Sequence, residues 1–245
     1  MKKTWNFLLV LLAGFMAGCS TNTEEFDEAA LGKAYYPLAI GDYRVYNVTD
    51  IRWLQNKRED SSVFQVRERV DTLFSNLAGE PTYKIIRSWR PTSLDPWVDD
   101  SVIMVTVSKN QVRRRFNNQD LVKLIFPVSE NKSWSPNVYN NIDFDTINGN
   151  VVAKPLRSRY TAVGQPFTVN GKTFDRTVTV MVNDFVSFIN KDVRTEVYAE
   201  NIGMIYKKYE ILDYCTQAPC NAGPDDFILT GYERIEELEA YGKIE

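Results

Sequence analysis

The chain has 245 residues, with 29 Lys and Arg against 32 Asp and Glu, no histidine and a net charge of −3. Nothing in that balance attracts a polyanion, so no nucleic-acid partner is expected. The missing histidine removes Ser-His-Asp and Cys-His catalysis and every histidine-ligated metal site. With 44% apolar and 13% aromatic residues there is ample core material, and about 215 residues beyond the N-terminal region lies within the range of one all-β domain.

Residues Met1 to Cys19 have the layout of an export signal rather than of structure: Lys2 and Lys3, an apolar run from Trp5 to Phe15, then Met16-Ala17-Gly18-Cys19. The run is shorter than the roughly 20 apolar residues a membrane-spanning helix needs. The last four residues resemble the lipobox of bacterial lipoproteins, in which the cysteine sulfur receives a diacylglycerol and the peptide is cut before it. That resemblance implies removal of residues 1–18, a shift of net charge from −3 to −5 with the loss of Lys2 and Lys3, and lipidation of Cys19. One acyl chain holds a protein marginally at about 0.8 kcal/mol per buried methylene, whereas two or three on Cys19 make a lasting membrane anchor. The polar, acidic stretch from Ser20 to Ala30 has no hydrophobic period and is expected to be a solvated tether, with the tether region drawn as 19–34. Ser20 is not the aspartate that retains many lipoproteins at the inner membrane. The acidic group behind the cysteine resembles the surface-export tethers of Bacteroidota-type lipoproteins, which implies the outer membrane, at its periplasmic face or at the cell surface.

From Tyr35 on, the expected elements are strands. Tyr35 to Val48 carries a proline and a Gly41-Asp42 turn ahead of an alternating aromatic run. In Val63 to Leu73, Phe64, Val66 and Val70 share one face and Gln65, Arg67, Arg69 and Asp71 the other. Thr82 to Trp89 and Ser101 to Ser108 follow, and Val102 to Val107, apolar on both faces, reads as central. Lys109-Asn110 is a hairpin turn into Gln111 to Phe116, then comes Leu121 to Phe126. Residues 128–142, rich in Asn, Ser and Pro, form a loop around Trp134. Asn148-Gly149 and Asn170-Gly171 are strong type I′ turn marks, because both central positions of that turn need positive φ. They join Phe144-Ile147 to Val151-Ala153, and Phe167-Val169 to Lys172-Val182. Val193 to Ala199 and Met204 to Leu212 make a further hairpin. Phe227 to Tyr241 fits either helical spacing or a closing strand and is read as a strand by its neighbours.

Cys215 and Cys220, with four residues between them, are the thiols left after lipidation. In an exported chain they are expected to form a local disulfide. The predicted fold is all-β: after the cleaved signal and tether, residues 35–245 form a single curled antiparallel sheet, a half-barrel or incomplete barrel that curls to remove its edges. Tyr36-Pro37-Leu38-Ala39-Ile40-Gly41-Asp42-Tyr43-Arg44-Val45-Tyr46, Gly171 to Val180, and Tyr198-Ala199-Glu200-Asn201-Ile202-Gly203-Met204-Ile205-Tyr206-Lys207 resemble the opening and second-half signatures of uncharacterised Bacteroidota outer-membrane lipoproteins. The resemblance spans Tyr36 to about Leu212. It implies a curled antiparallel sheet similar to that of envelope lipoprotein carriers and brings no activity with it.

Candidate chemistry is sparse. Neither GxxxxGK[ST] nor GxGxxG occurs, and no catalytic residue and no cofactor is assigned. Asn141 to Asp145 alternates oxygen side chains, yet Thr146 stands where an EF-hand needs glycine and Val152 where it needs glutamate, so no metal site is assigned. Trp53, Trp89, Trp97 and Trp134 are candidates for a sugar- or lipid-stacking platform, and Trp97, in a loop with Leu94, Asp95 and Pro96, is the foremost of them as a ligand contact. Arg113-Arg114-Arg115 must turn at least one arginine inward or along an edge. Thr72, Ser101 and Thr146 each follow aspartate and precede an aliphatic residue, which resembles the Bacteroidota O-glycosylation motif. The expectation is a non-catalytic, lipid-anchored outer-membrane lipoprotein acting in envelope assembly or binding a protein partner. A lipid- or glycan-binding carrier using the concave face is the alternative, favoured by an aromatic pocket above roughly 300 Å³. A hydrolase built on two carboxylates comes third.

Overall fold

A computed structural model of the chain describes residues 28–140, 144–147, 150–153, 156–218, 220 and 227–244. Cys19, the signal segment and the first part of the tether lie outside them. The described strands are β1 (Asp42–Leu54), β2 (Lys57–Ser75), β3 (Pro81–Arg90), β4 (Val98–Val107), β5 (Gln111–Phe116), β6 (Gln119–Ile125), β7 (Ser133–Trp134), β8 (Phe144–Ile147), β9 (Asn150–Ala153), β10 (Ser158–Val169), β11 (Lys172–Val186), β12 (Asn190–Ala199), β13 (Gly203–Tyr214) and β14 (Ile228–Lys243). Twelve of them make one antiparallel sheet in the order β6-β5-β4-β3-β2-β1-β14-β13-β12-β11-β10-β7, and β8 and β9 pair separately.

The order is two meanders joined in the middle. β1 to β6 run outward from β1, β10 to β13 run back toward it, and β14 lies between β13 and β1. The C-terminal segment is therefore a strand: its register holds Glu236 opposite Val48 on one side and Lys207 on the other. Its terminus approaches the start of β1 so closely that a side chain on Gly41 (φ 89) would sit 2.5 Å from the Ile244 carbonyl oxygen. Only glycine fits there.

The sheet curls until β6 and β7 face each other across an unsealed seam, a barrel nearly closed. Among the described residues no ladder crosses the seam, and side chains and a loop satisfy the edge. The Tyr160 hydroxyl donates to the Ile125 carbonyl at 2.7 Å and accepts from the Ile125 N–H at 2.8 Å. Val122 donates to Pro136 O at 2.8 Å and accepts from the Trp134 indole at 3.0 Å. Asp120 exchanges two bonds with the Asn140 amide. Three residues of an edge strand, which would otherwise offer bare backbone to another chain, are thereby capped.

Three features depart from the sequence expectation. The segment ahead of β1 is not extended: Glu28–Leu31 and Lys33–Tyr35 are 3₁₀ turns, placed by Val128 donating to Leu31 O and Asn201 donating to Ala34 O. Tyr35 joins the buried core, with Leu31, Tyr36 and Leu38 packed against it, so this segment plugs one end of the barrel. The β1–β2 hairpin, unread in the sequence, turns through Gln55 (φ 47) and Asn56 (φ 60). β10 also begins earlier than expected, at Ser158, because Ala162 and Gly164 at positive φ bend the strand without ending it.

Strand directions sort the connections by end. The plug, the β2–β3, β4–β5, β10–β11 and β12–β13 turns and the C-terminus lie at the tether end. The β1–β2, β3–β4, β5–β6, β11–β12 and β13–β14 connections lie at the opposite, distal end. One apolar cluster of β2 to β6 and β10 to β12 is built on Ile85, Ile103, Val105, Leu124, Tyr160 and Val180. A second centres on Tyr46, Val48, Val66, Ile205 and Leu238.

Candidate functional site

Where the two apolar clusters meet, the interior turns polar. A chamber of about 210 Å³ is lined by residues of both clusters, among them Ile85, Tyr198 and Tyr46, and by a set of charged side chains. Its floor is the plug, through Tyr36 and Leu38.

Three carboxylates organise the wall. Glu196 on β12, 1% exposed, accepts from the Lys123 ammonium at 2.5 Å, from the Tyr198 hydroxyl at 2.5 Å and from the Tyr209 hydroxyl. Burial raises its pKa, but Lys123, Lys207 and the hydrogen bonds outweigh burial and hold it at about 2. Glu236 on β14 takes Lys207 at 3.0 Å and Arg234 at 2.7 Å, and the same competition leaves it at about 2. Glu68 on β2 receives both Arg114 amino groups, at 2.9 and 2.5 Å. Its pKa is also depressed, against the upward push of burial. The same burial raises the Tyr198 and Tyr209 phenols, and the neighbouring Glu196 charge raises them further, so both hydroxyls stay protonated as donors.

Arg44 differs from the other cations. Its guanidinium donates to two backbone carbonyls, Ile202 O and, at 2.8 Å, Pro37 O. Gly203 (φ 96) makes this possible, because a Cβ there would lie 2.9 Å from Arg44 Nε. The two halves of the sequence signature, Tyr36 to Tyr46 and Asn201 to Met204, thus meet on one side chain.

The chamber shares Arg87 and Arg234 with a shallower groove of about 540 Å³, lined also by Ser62, Phe64, Trp89 and Asp100. These residues lie on the distal halves of β2, β3, β4 and β14, so the groove is the chamber's mouth. Farther out, the β11–β12 turn exposes Phe185, Val186, Phe188 (97% exposed) and Ile189. Ile189 O accepts from Tyr214 N at 2.8 Å, which braces this tip on the end of β13.

Of the sequence candidates, Trp89 lines the mouth and Arg114 the chamber, and the others fall elsewhere. Trp97 does not line the chamber; it lies between Arg90 and Arg67, whose guanidinium carbons sit 4.2 and 4.8 Å from its ring. The Thr72 and Ser101 hydroxyls donate to Asp71 and Asp100. Thr146 is in β8, with its side chain outside the described set. Cys215 and Cys220 stand at disulfide distance, Cα atoms 6.0 Å apart, beside the distal end of β13. Of the three arginines in a row, Arg114 points into the chamber, while Arg113 and Arg115 flank Asp120 at 3.3 and 2.7 Å. Among the described residues, no group of three or more Cys, Asp or Glu side chains is placed to hold a metal.

The chamber residues were overlooked in the sequence although a signal existed. In Val63 to Leu73 the inward face contains Glu68 between Val66 and Val70, a charge in an apolar register, and Glu236 stands likewise two residues before Leu238. A charge at such a position must find a buried partner.

No protein-family profile and no curated protein matches the chain. Among solved structures, it is similar to a candidate exported protein with a YmcC-like fold from Bacteroides fragilis, at 11% identity and TM-score 0.39 over 85% of this chain and 98% of that one. It is also similar to a candidate lipoprotein from Parabacteroides distasonis, at 14% identity and TM-score 0.37 over 84% and 98%. At these scores neither likeness adds to what the geometry carries.

Proposed function

We propose that the chain is a non-catalytic, Bacteroidota-type lipoprotein of the outer membrane, anchored by acyl chains on Cys19, that docks an envelope protein at the distal end of its barrel. The observation that carries this reading is the exposed apolar tip of Phe185, Val186, Phe188 and Ile189 at the end opposite the tether's entry. Four exposed apolar side chains within five residues make a contiguous patch of the kind that marks a protein-interaction site, unlike single exposed residues. The charges beside the tip are paired, Asp184 with Arg159, Asp192 with Arg194 and Lys191 with Glu210. A protein surface suits such a tip better than an anionic membrane, which calls for a basic rim. The three chamber carboxylates are each held by cations and kept ionised, which suits structure or binding better than proton transfer. The chamber itself, at about 210 Å³ and walled by charged side chains, does not suit an acyl chain; the groove of about 540 Å³ at its mouth, with Phe64 and Trp89, is the feature that speaks for the lipid- or glycan-binding alternative.

Anchoring and docking sit at opposite ends, so they separate genetically. Cys19→Ser is expected to free the protein from membranes on flotation and to leave its complex with the partner intact in detergent extracts. Phe188→Asp is expected to do the reverse. A Phe188→Asp protein that keeps the complex would overturn the proposed docking end.

A further inference from the structure

The chamber holds more positive than negative charge. Its wall carries Arg44, Arg87, Arg114, Lys123, Lys207 and Arg234 against Glu68, Glu196 and Glu236. Two of the cations reach carboxylates beyond the wall: Arg87 pairs with Asp100 at 2.5 Å and Arg234 with Asp50 at 3.5 Å. Six cations then face five carboxylates, and the cation left over is Arg44, which among the described residues meets only the carbonyls of Pro37 and Ile202. A buried guanidinium with neutral acceptors alone is poorly compensated, and a carboxylate of matching geometry is its natural complement. The Tyr46, Tyr198 and Tyr209 hydroxyls donate their protons to Met204 O and Glu196, which leaves their oxygens as acceptors toward the chamber, and with the Gln119 amide they suit a ligand that brings hydroxyl donors. The mouth adds Trp89 and shares Arg87 and Arg234 with the wall.

We infer that the chamber is a binding site for a small, hydroxylated molecule bearing a single carboxylate, of the size of a hydroxy acid or one sugar acid, with Arg44 taking the carboxylate. The inference is independent of the docking tip: a ligand can occupy the chamber whether or not a partner covers the rim.

The test uses the full-length protein in detergent, with glucuronate as probe, glucose as the uncharged control and glucose 6-phosphate as the doubly charged one. Glucuronate is expected to raise the thermal midpoint and to give a calorimetric binding signal, with glucose at least about tenfold weaker. Arg44→Gln should weaken glucuronate by about tenfold or more, and Arg44→Lys, which keeps the charge and loses the planar fork, by less than Arg44→Gln. Should Arg44→Gln fail to fold, Arg87→Gln at the mouth is read in its place, with a weakening of several-fold expected. Equal response to glucuronate and glucose, no response to either, or unchanged affinity in the folded variant would overturn the assignment. Tighter binding of glucose 6-phosphate would overturn its single-charge form.

Discussion

Glu196 takes one ammonium and two phenolic hydroxyls into a site that water barely reaches, and each of those groups is there for its charge. Replacing it by glutamine keeps the shape and strands Lys123 without a counter-ion. Breaking a buried pair in this way costs about 3–5 kcal/mol. Glu196→Gln is therefore expected to lower the urea midpoint of unfolding sharply, and an unchanged midpoint would remove the network from the account. The pH dependence follows from the same groups. Glu196 and Glu236 fall from an ordinary 4.5 to about 2 in the folded chain, so below pH 4.5 the unfolded chain takes up protons that the folded one refuses. Their contribution to stability is complete above pH 4.5 and is lost as pH falls through about 2. Denaturant titrations at pH 6 and pH 3 should show that decline, and Glu236→Gln should flatten it.

At the scale of the element, the seam is the place where sheet pairing gives way to single side chains. Tyr160→Phe removes one hydroxyl and leaves both the N–H and C=O of Ile125 without a partner. A loss of about 1–3 kcal/mol is expected, with faster amide exchange confined to β6; uniform exchange would mean the edge is protected by something else. How much of this was readable in the sequence depends on the element. Alternation marked β2 and β11, because one wet face and one dry face leave a period of two, and Asn170-Gly171, with φ 49 and 73, marked the β10–β11 hairpin. The β1–β2 turn escaped because Gln55 is not a residue that announces positive φ. The 3₁₀ plug escaped because its hold, Asn201 on Ala34 and Val128 on Leu31, comes from residues far along the chain. The chamber escaped because alternation puts Glu68 on the inner face without naming its counter-ion: Arg114 lies 46 residues away, as Glu196 lies 73 from Lys123.

For the molecule as a whole, the division of labour runs along the barrel axis. The tether enters at the plugged end, while the mouth and the apolar tip sit at the other, with the Cys215–Cys220 pair beside that rim. Phe188, 97% exposed, contributes almost nothing to the fold, so Phe188→Asp should leave stability within about 0.5 kcal/mol of the parent protein. The most direct test of the two-ended arrangement is site-specific photocrosslinking in intact cells, with the photoreactive residue placed at Phe188 in one strain and at Leu77, equally exposed but at the tether end, in another. A discrete adduct with a second envelope protein from position 188 and none from position 77 is the predicted result. The same adduct from both positions, or from position 77 alone, would contradict it.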